Sequence, residues 1–144
     1  MFANRTFLAP LAVTALLALV ACGGDSPTAS ASAVGTFALE TVNGKALPHV
    51  LVDTVFQGTV LRVEVVSPSM MKLKADMSFQ FIITTRVTAS GIPPMVEADT
   101  ATGTYSLAGR HLSMTASGST IQGDWDGVNS LVLNATPDVL VFRR

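Results

Sequence analysis

Few residues of this 144-residue chain have side chains that could act as a nucleophile, a base or a metal ligand. Cys22 is the only cysteine, and His49 and His111 are the only histidines. A Ser-His-Asp triad or a zinc site needs several such groups in contact, and two histidines far apart in the chain predict neither. We expect no catalytic residue, no metal and no cofactor, and a protein that is not an enzyme.

The segment 123–127, Gly-Asp-Trp-Asp-Gly, places two carboxylates beside the only tryptophan. Such a cluster could bind a cation or a sugar. It lacks the ligand spacing of a calcium loop, however. Its position between the apolar residues Ile121 and Leu131 is typical of a hairpin end with a packed indole. We predict the hairpin and keep ligand binding as the alternative.

The residues before Cys22 have the pattern of a secretory signal. Arg5 is the only charged residue there, and it is followed by an uncharged, mostly apolar run of 15 residues, 7–21. A helix that crosses a bilayer needs about 20 apolar residues. The run therefore indicates a cleaved signal peptide and not a permanent membrane span.

The end of this run, Leu19-Val20-Ala21-Cys22, resembles the lipobox of bacterial lipoprotein precursors. The resemblance implies that a signal peptidase recognises Leu19, Val20 and Ala21 and cuts before Cys22. It also implies that the Cys22 thiol carries diacylglycerol, and several acyl chains on one residue anchor a protein stably. Gly23 is not the aspartate associated with inner-membrane retention. In a Gram-negative host, the resemblance thus implies the periplasmic face of the outer membrane.

These patterns divide the chain into a signal peptide (1–21), a lipidated cysteine with a flexible linker (22–33) and one domain (34–144). The linker has no large apolar residue. Removal of 1–21 takes away one of the nine basic residues and none of the ten acidic ones, so the remaining net charge is −2. Basic residues form no cluster, and this excludes nucleic acid as a partner.

Period-two alternation dominates the domain and predicts β-strands with one apolar face. In Leu61-Arg62-Val63-Glu64-Val65 the odd positions are apolar and the even ones are charged. Phe79, Phe81, Ile83 and Val87 likewise share one face of a longer strand. Turn signals such as Asn43-Gly44 and Asp126-Gly127 separate the runs. We predict an all-β antiparallel meander that closes into a small barrel of about eight strands, with a β-sandwich as the alternative.

The layout resembles the lipocalin-like domains of small bacterial lipoproteins. The similar segments are Gly35-Thr36-Phe37, residues 42–48 (Val-Asn-Gly-Lys-Ala-Leu-Pro), Gly103-Thr104-Tyr105 and Phe142-Arg143-Arg144. Lipocalins carry a tryptophan on the first strand, beneath an arginine that closes the barrel, and Phe37 takes that place here. Glycine before each aromatic residue permits close backbone approach.

The resemblance implies a membrane-anchored protein of the cell envelope that binds a small hydrophobic ligand. Phe37, Phe79, Phe81 and Tyr105 are the candidate lining residues. An interaction or scaffold role in the envelope is the alternative, with the predicted loops 48–53 and 91–99 as its surfaces. Pro93 and Pro94 exclude a central strand, so 91–94 is predicted as an exposed loop or a strand edge. The expected partners are the membrane, through the lipid anchor, and either an apolar small molecule or an envelope protein.

Overall fold

The computed structural model describes residues 32–144, so the signal segment 1–21 and the predicted lipobox residues Leu19, Val20, Ala21 and Cys22 lie outside the described residues. Residues 32–144 contain no helix that could cross a membrane. They form ten β-strands: β1 (Gly35–Val42), β2 (Lys45–Ala46), β3 (His49–Phe56), β4 (Thr59–Leu73), β5 (Ser78–Ala89), β6 (Ile92–Ala108), β7 (His111–Ala116), β8 (Ser119–Trp125), β9 (Ser130–Ala135) and β10 (Asp138–Arg143).

Eight of these strands close into an antiparallel barrel. The hydrogen-bonded order is β1-β10-β9-β8-β7-β6-β5-β4, and β4 returns to β1 through pairs that run from Gly35↔Leu73 to Ala38↔Met70. β2 and β3 lie outside the ring, on β1 and β4. The closed ring confirms the predicted all-β barrel and excludes the sandwich. An eight-stranded barrel is just wide enough to be filled by side chains or to hold one small ligand.

The best-packed part of the core lies where β1 begins, which we call the closed end. Phe37 and Trp125 are fully buried there, with ring centroids 5.5 Å apart in an edge-to-face arrangement. The Arg144 guanidinium lies 5.2 Å from the Phe37 ring centre and 4.9 Å from that of Trp125. It also donates hydrogen bonds to the carbonyls of Val34 (3.0 Å) and Val128 (2.9 Å). Phe37 on β1 thus lies beneath Arg144, and the tryptophan that packs beside it, Trp125, lies on β8.

Gly103 shows why the Gly-Thr-aromatic pattern needs its glycine. A Cβ atom at Gly103 would overlap the carbonyl oxygen of Thr115 on β7 and the ring of Phe79 on β5. At Gly35, a Cβ atom would lie 3.1 Å from the Arg144 guanidinium. Both glycines therefore permit close packing around the core aromatics.

Three long strands extend past the barrel rim. β4, β5 and β6 have 15, 12 and 17 residues, whereas β7 to β10 have six or seven. With β3 they form a four-stranded sheet of order β3-β4-β5-β6, which we call the arm. The arm consists of β3, residues 59–66 of β4, 83–89 of β5 and 92–99 of β6. It leaves the barrel opposite the closed end, at what we call the open end.

A bulge in β4 marks the junction of barrel and arm. Residues 67–69 interrupt the pairing with β5 between Val66↔Thr84 and Met70↔Ile82. Buried Ser69 donates its hydroxyl to the Val66 carbonyl and accepts the Thr84 amide, both at 2.8 Å, and the Thr84 hydroxyl bonds the Pro68 carbonyl. Below the bulge β4 pairs with β1, and above it β4 pairs with β3. The bulge therefore lets one strand leave the closed ring without orphaned backbone groups.

Two segments predicted as loops belong to the arm. His49 opens β3, and most of 91–99 is the first half of β6. Pro93 and Pro94 lie on the free edge of β6, because β7 pairs only with residues 104–108. They also fall at the register shift between Val87↔Met95 and Ala89↔Ile92, where the ladder with β5 is interrupted, so their missing N–H groups remove no pair of that ladder. The loop prediction was wrong for 48–53 and for most of 91–99, whereas the strand edge predicted as the alternative for 91–94 is confirmed.

Candidate functional site

An apolar cavity of about 120 Å³ lies inside the barrel at the open end. Serine 119 contributes the only hydroxyl among its lining side chains. The lining residues are Met71, Phe79, Phe81, Ala101, Met114, Ala116, Ser119, Ile121, Leu133, Ala135 and Leu140. Ala101, Ser119 and Ile121 are also exposed, so the cavity reaches the surface between β6 and β8. It can take an apolar group that enters from the open end.

The four predicted lining residues lie in two different places. Phe79 and Phe81 line the cavity, and Phe81 packs edge-to-face on Phe142 at 5.8 Å. Phe37 packs in the closed end. Tyr105 also lies there, and its hydroxyl donates to the Lys74 carbonyl at 2.8 Å. Burial, together with the nearby Asp76, raises the pKa of Tyr105, which keeps this hydroxyl protonated.

The inner face of the arm carries acidic as well as apolar side chains, since the register pairs Ile83 with Asp99 and Thr85 with Glu97. Ile83 follows Phe81 on the same face of β5. Beyond it, the register places Val52, Val63, Val87 and Met95 side by side across the four strands. Val52 and Met95 are exposed, whereas Val63 and Val87 are half-buried. On β6, Asp99 and Glu97 separate this row from the cavity.

The outer face of the arm carries a compact ion-pair network. Glu64 is nearly buried, and its carboxylate receives hydrogen bonds from the Nε atoms of Arg86 (3.0 Å) and Arg62 (2.9 Å). Arg62 also reaches Asp53 on β3, at 3.5 Å. The bonds from Arg86 and then Arg62 hold the pKa of Glu64 below its usual range. This network couples β3, β4 and β5, and its charges balance within the face.

His111 and Asp124 form a pair on the outer face of the barrel, in a shallow groove that also contains Ser130. His111 Nδ1 lies 2.8 Å from an Asp124 carboxylate oxygen, but the imidazole is 85% exposed. A hydrolytic base needs a hydroxyl within hydrogen-bond distance and a site that excludes water. Within residues 32–144, the hydrogen bonds of His111 include none to a serine. The groove therefore lacks the geometry of a triad, and His49 lies apart from it on β3.

The two carboxylates of the 123–127 segment have different partners. Asp124 pairs with His111, whereas one Asp126 oxygen accepts the amides of Val128 (2.8 Å), Asn129 (2.9 Å) and Ser130 (2.9 Å). Desolvation alone would raise the pKa of Asp126, but these amide bonds lower it on balance. Trp125 points inward to Phe37. The predicted hairpin with a packed indole is thus present, and residues 32–144 bring no three potential metal ligands together.

Sequence reasoning missed the small residues that create the cavity. Ala101, Ala116 and Ala135 line it where larger side chains would fill it. Each lies on the inward face of its strand by period-two spacing from Gly103, Met114 and Leu133. A single alanine in a strand does not indicate a cavity. Only the register shows that three of them line the same space.

The chain matches no protein-family profile, no curated protein and no solved structure.

Proposed function

We propose that this protein is a membrane-anchored lipoprotein whose barrel holds the end of a single apolar chain, such as an acyl chain, and that it is not an enzyme. The cavity at the open end carries the proposal. When an apolar group replaces water in such a cavity, the free energy of the complex falls by about 25 cal/mol per Å² of apolar surface buried.

The size of the cavity supports a narrow ligand. Its volume of about 120 Å³ is below the roughly 300–1,000 Å³ of pockets for drug-sized molecules. It is closer to an engineered apolar cavity of about 150 Å³ that binds benzene. A linear chain suits such a space, because only its end needs to enter. The rest of the chain would lie outside the cavity, at the open end.

Displacement of a fluorescent fatty acid tests the ligand. We expect the full chain, stripped of lipid, to bind the probe, and Ala116→Phe to weaken binding at least tenfold because the ring fills the cavity. Ala108→Phe is the matched control, since Ala108 pairs with His111 on the outer face. Unchanged probe affinity in Ala116→Phe would contradict the proposal that the cavity binds the end of an apolar chain.

The alternative is a scaffold or interaction role without a ligand, and it makes the opposite prediction. Apart from the proposed covalent anchor, a scaffold would retain no bound lipid in native mass spectrometry of protein extracted from membranes. Ala116→Phe would then leave its cellular role unchanged, because filling an unused cavity alters no surface.

The membrane anchor is proposed from the lipobox resemblance. Growth in radioactive palmitate should label the protein, and Cys22→Ser should abolish the label. In a Gram-negative host, labelled protein should fractionate with the outer membrane. Continued labelling of Cys22→Ser would overturn the assignment.

A further inference from the structure

The far end of the arm consists of two neighbouring hairpins without a charged residue. Residues 54–61 join β3 to β4, and residues 87–96 join β5 to β6. We call these two segments the tip. The Ser90 amide donates to the Val60 carbonyl, and the Val60 amide donates to the Ser90 hydroxyl, both at 3.1 Å. These bonds hold the two hairpins together as one projection.

The tip exposes large apolar side chains on both faces of the sheet. Val55 (64% exposed) and Val60 (46%) lie on the outer face beyond Arg62, and Val96 (62%) lies on the same face but nearer the barrel, level with Arg86 and Glu64. On the inner face lie Leu61, together with Phe56 (68%) and Ile92 (57%). Sheets that face water normally expose polar residues on at least one face. A two-faced apolar tip is therefore built for surroundings that are apolar on every side.

We propose that the tip enters the headgroup and acyl-chain boundary of a lipid bilayer. A protein or second copy docked on the arm would cover one face of the sheet and leave the other in water. A bilayer surrounds a projection completely, and the uncharged tip avoids the cost of placing a charge in it. The inference does not rest on the ligand proposed for the cavity.

The positions of the charges limit the depth of entry. Asp53 and Arg62 pair across β3 and β4, three residues below the end of the hairpin at Thr59. At about 3.3 Å per residue, the uncharged part of these strands is about 10 Å long. That length matches the roughly 5–10 Å to which interfacial segments enter a bilayer.

Backbone hydrogen bonding favours the same shallow depth. The free edges of an open sheet carry unpaired N–H and C=O groups, which cannot enter the hydrocarbon core. Pro93 and Pro94 have no N–H donor, so at this point the free edge of β6 presents no unpaired N–H group within the tip. The tip can therefore enter the interface, while the rest of the arm stays outside.

A position-specific probe tests this proposal in the full chain with Cys22→Ser, which removes the expected lipid acceptor. An environment-sensitive fluorophore is attached through Gln57→Cys in the tip or through Val128→Cys at the closed end, where Val128 is 66% exposed. The vesicles are neutral phosphatidylcholine with spin-labelled acyl chains. We expect quenching and a blue shift at position 57 only.

Removal of apolar side chains sharpens the test. Phe56→Ser with Ile92→Ser should reduce vesicle partitioning at least tenfold, while Val128→Ser should not change it. Equal quenching at both positions would mean that the N-terminal segment alone holds the protein at the vesicle, and it would overturn the proposal. The proposal would also be overturned if the probe at position 57 were shielded from water without vesicles and became exposed on dilution. The tip would then bind a second copy of the chain.

Discussion

β4, β5 and β6 run through both the barrel and the arm, but side chains on the same face of these strands are buried in the barrel and more exposed in the arm. On β5, Phe79 is 5% exposed inside the barrel, whereas Val87 on the same face is only half-buried in the arm. On β4, Met71 is buried, whereas Leu61 on the same face beyond the bulge is half-buried. In the barrel, the opposite wall covers the inward face, because the sheet returns to its own first strand. The arm has no opposite wall. Closure of the sheet, and not residue type, decides which apolar residues form the core.

The contrast predicts a large difference in the cost of removing an aromatic ring. Trp125→Ala should lower the free energy of unfolding by about 3–5 kcal/mol, since it leaves a cavity beside Phe37. Phe56→Ala at the tip should change it by less than about 0.5 kcal/mol, because the ring is already in solvent. Urea unfolding measures both values, with Trp125→Phe as an intermediate control. Similar losses of unfolding free energy in the two variants would show that barrel and arm do not differ in this way.

The closed end should also depend on its arginine. Arg144→Ala removes hydrogen bonds to the Val34 and Val128 carbonyls and the contact with two aromatic rings. We expect a loss of about 1–2 kcal/mol in unfolding free energy, since the side chain is partly in solvent. Arg144→Lys should restore only part of it, because an ammonium group cannot bond both carbonyls in the same plane. Full restoration would show that charge alone matters.

The smallest effect concerns acid stability, and it should differ between the regions. The pKa of Glu64 in the arm is lowered from 4.5 by Arg86 and Arg62, so its contribution is complete above about pH 4.5 and is lost as the pH falls through the folded-state pKa. The lowered pKa values of Asp76 and Asp126 at the closed end act likewise below their ordinary 3.8. Hydrogen exchange should show arm amides opening first on acidification.

Glu64→Gln provides the control for that prediction. The variant should have less protected arm amides than the wild type at pH 7, and the two should converge as the pH falls. Parallel pH profiles for the two proteins would show that the ion pairs do not hold the arm together.

Much of the fold follows from local patterns in the chain. Alternation in 61–65 and 79–87 predicted strands with one apolar face, and the observed register confirms it. The lone tryptophan was correctly predicted to pack at a hairpin end. Residues 48–53 and most of 91–99 were wrongly predicted as loops, and for 91–94 a loop and a strand edge were both left open, because prolines and polar residues are common to loops and to free sheet edges. No local signal separates these two cases.

By itself, the sequence determined the strand periodicity, the turns and the all-β class, because these depend on neighbours two to four residues apart. Tertiary structure decided which apolar faces became core, cavity or exposed arm. The cavity depends on three alanines from β6, β7 and β9 that lie more than ten residues apart in the chain. The arm depends on a bulge at which β4 exchanges β1 for β3. Both arise from long-range pairing, and burial is a property of the closed ring and not of any one strand.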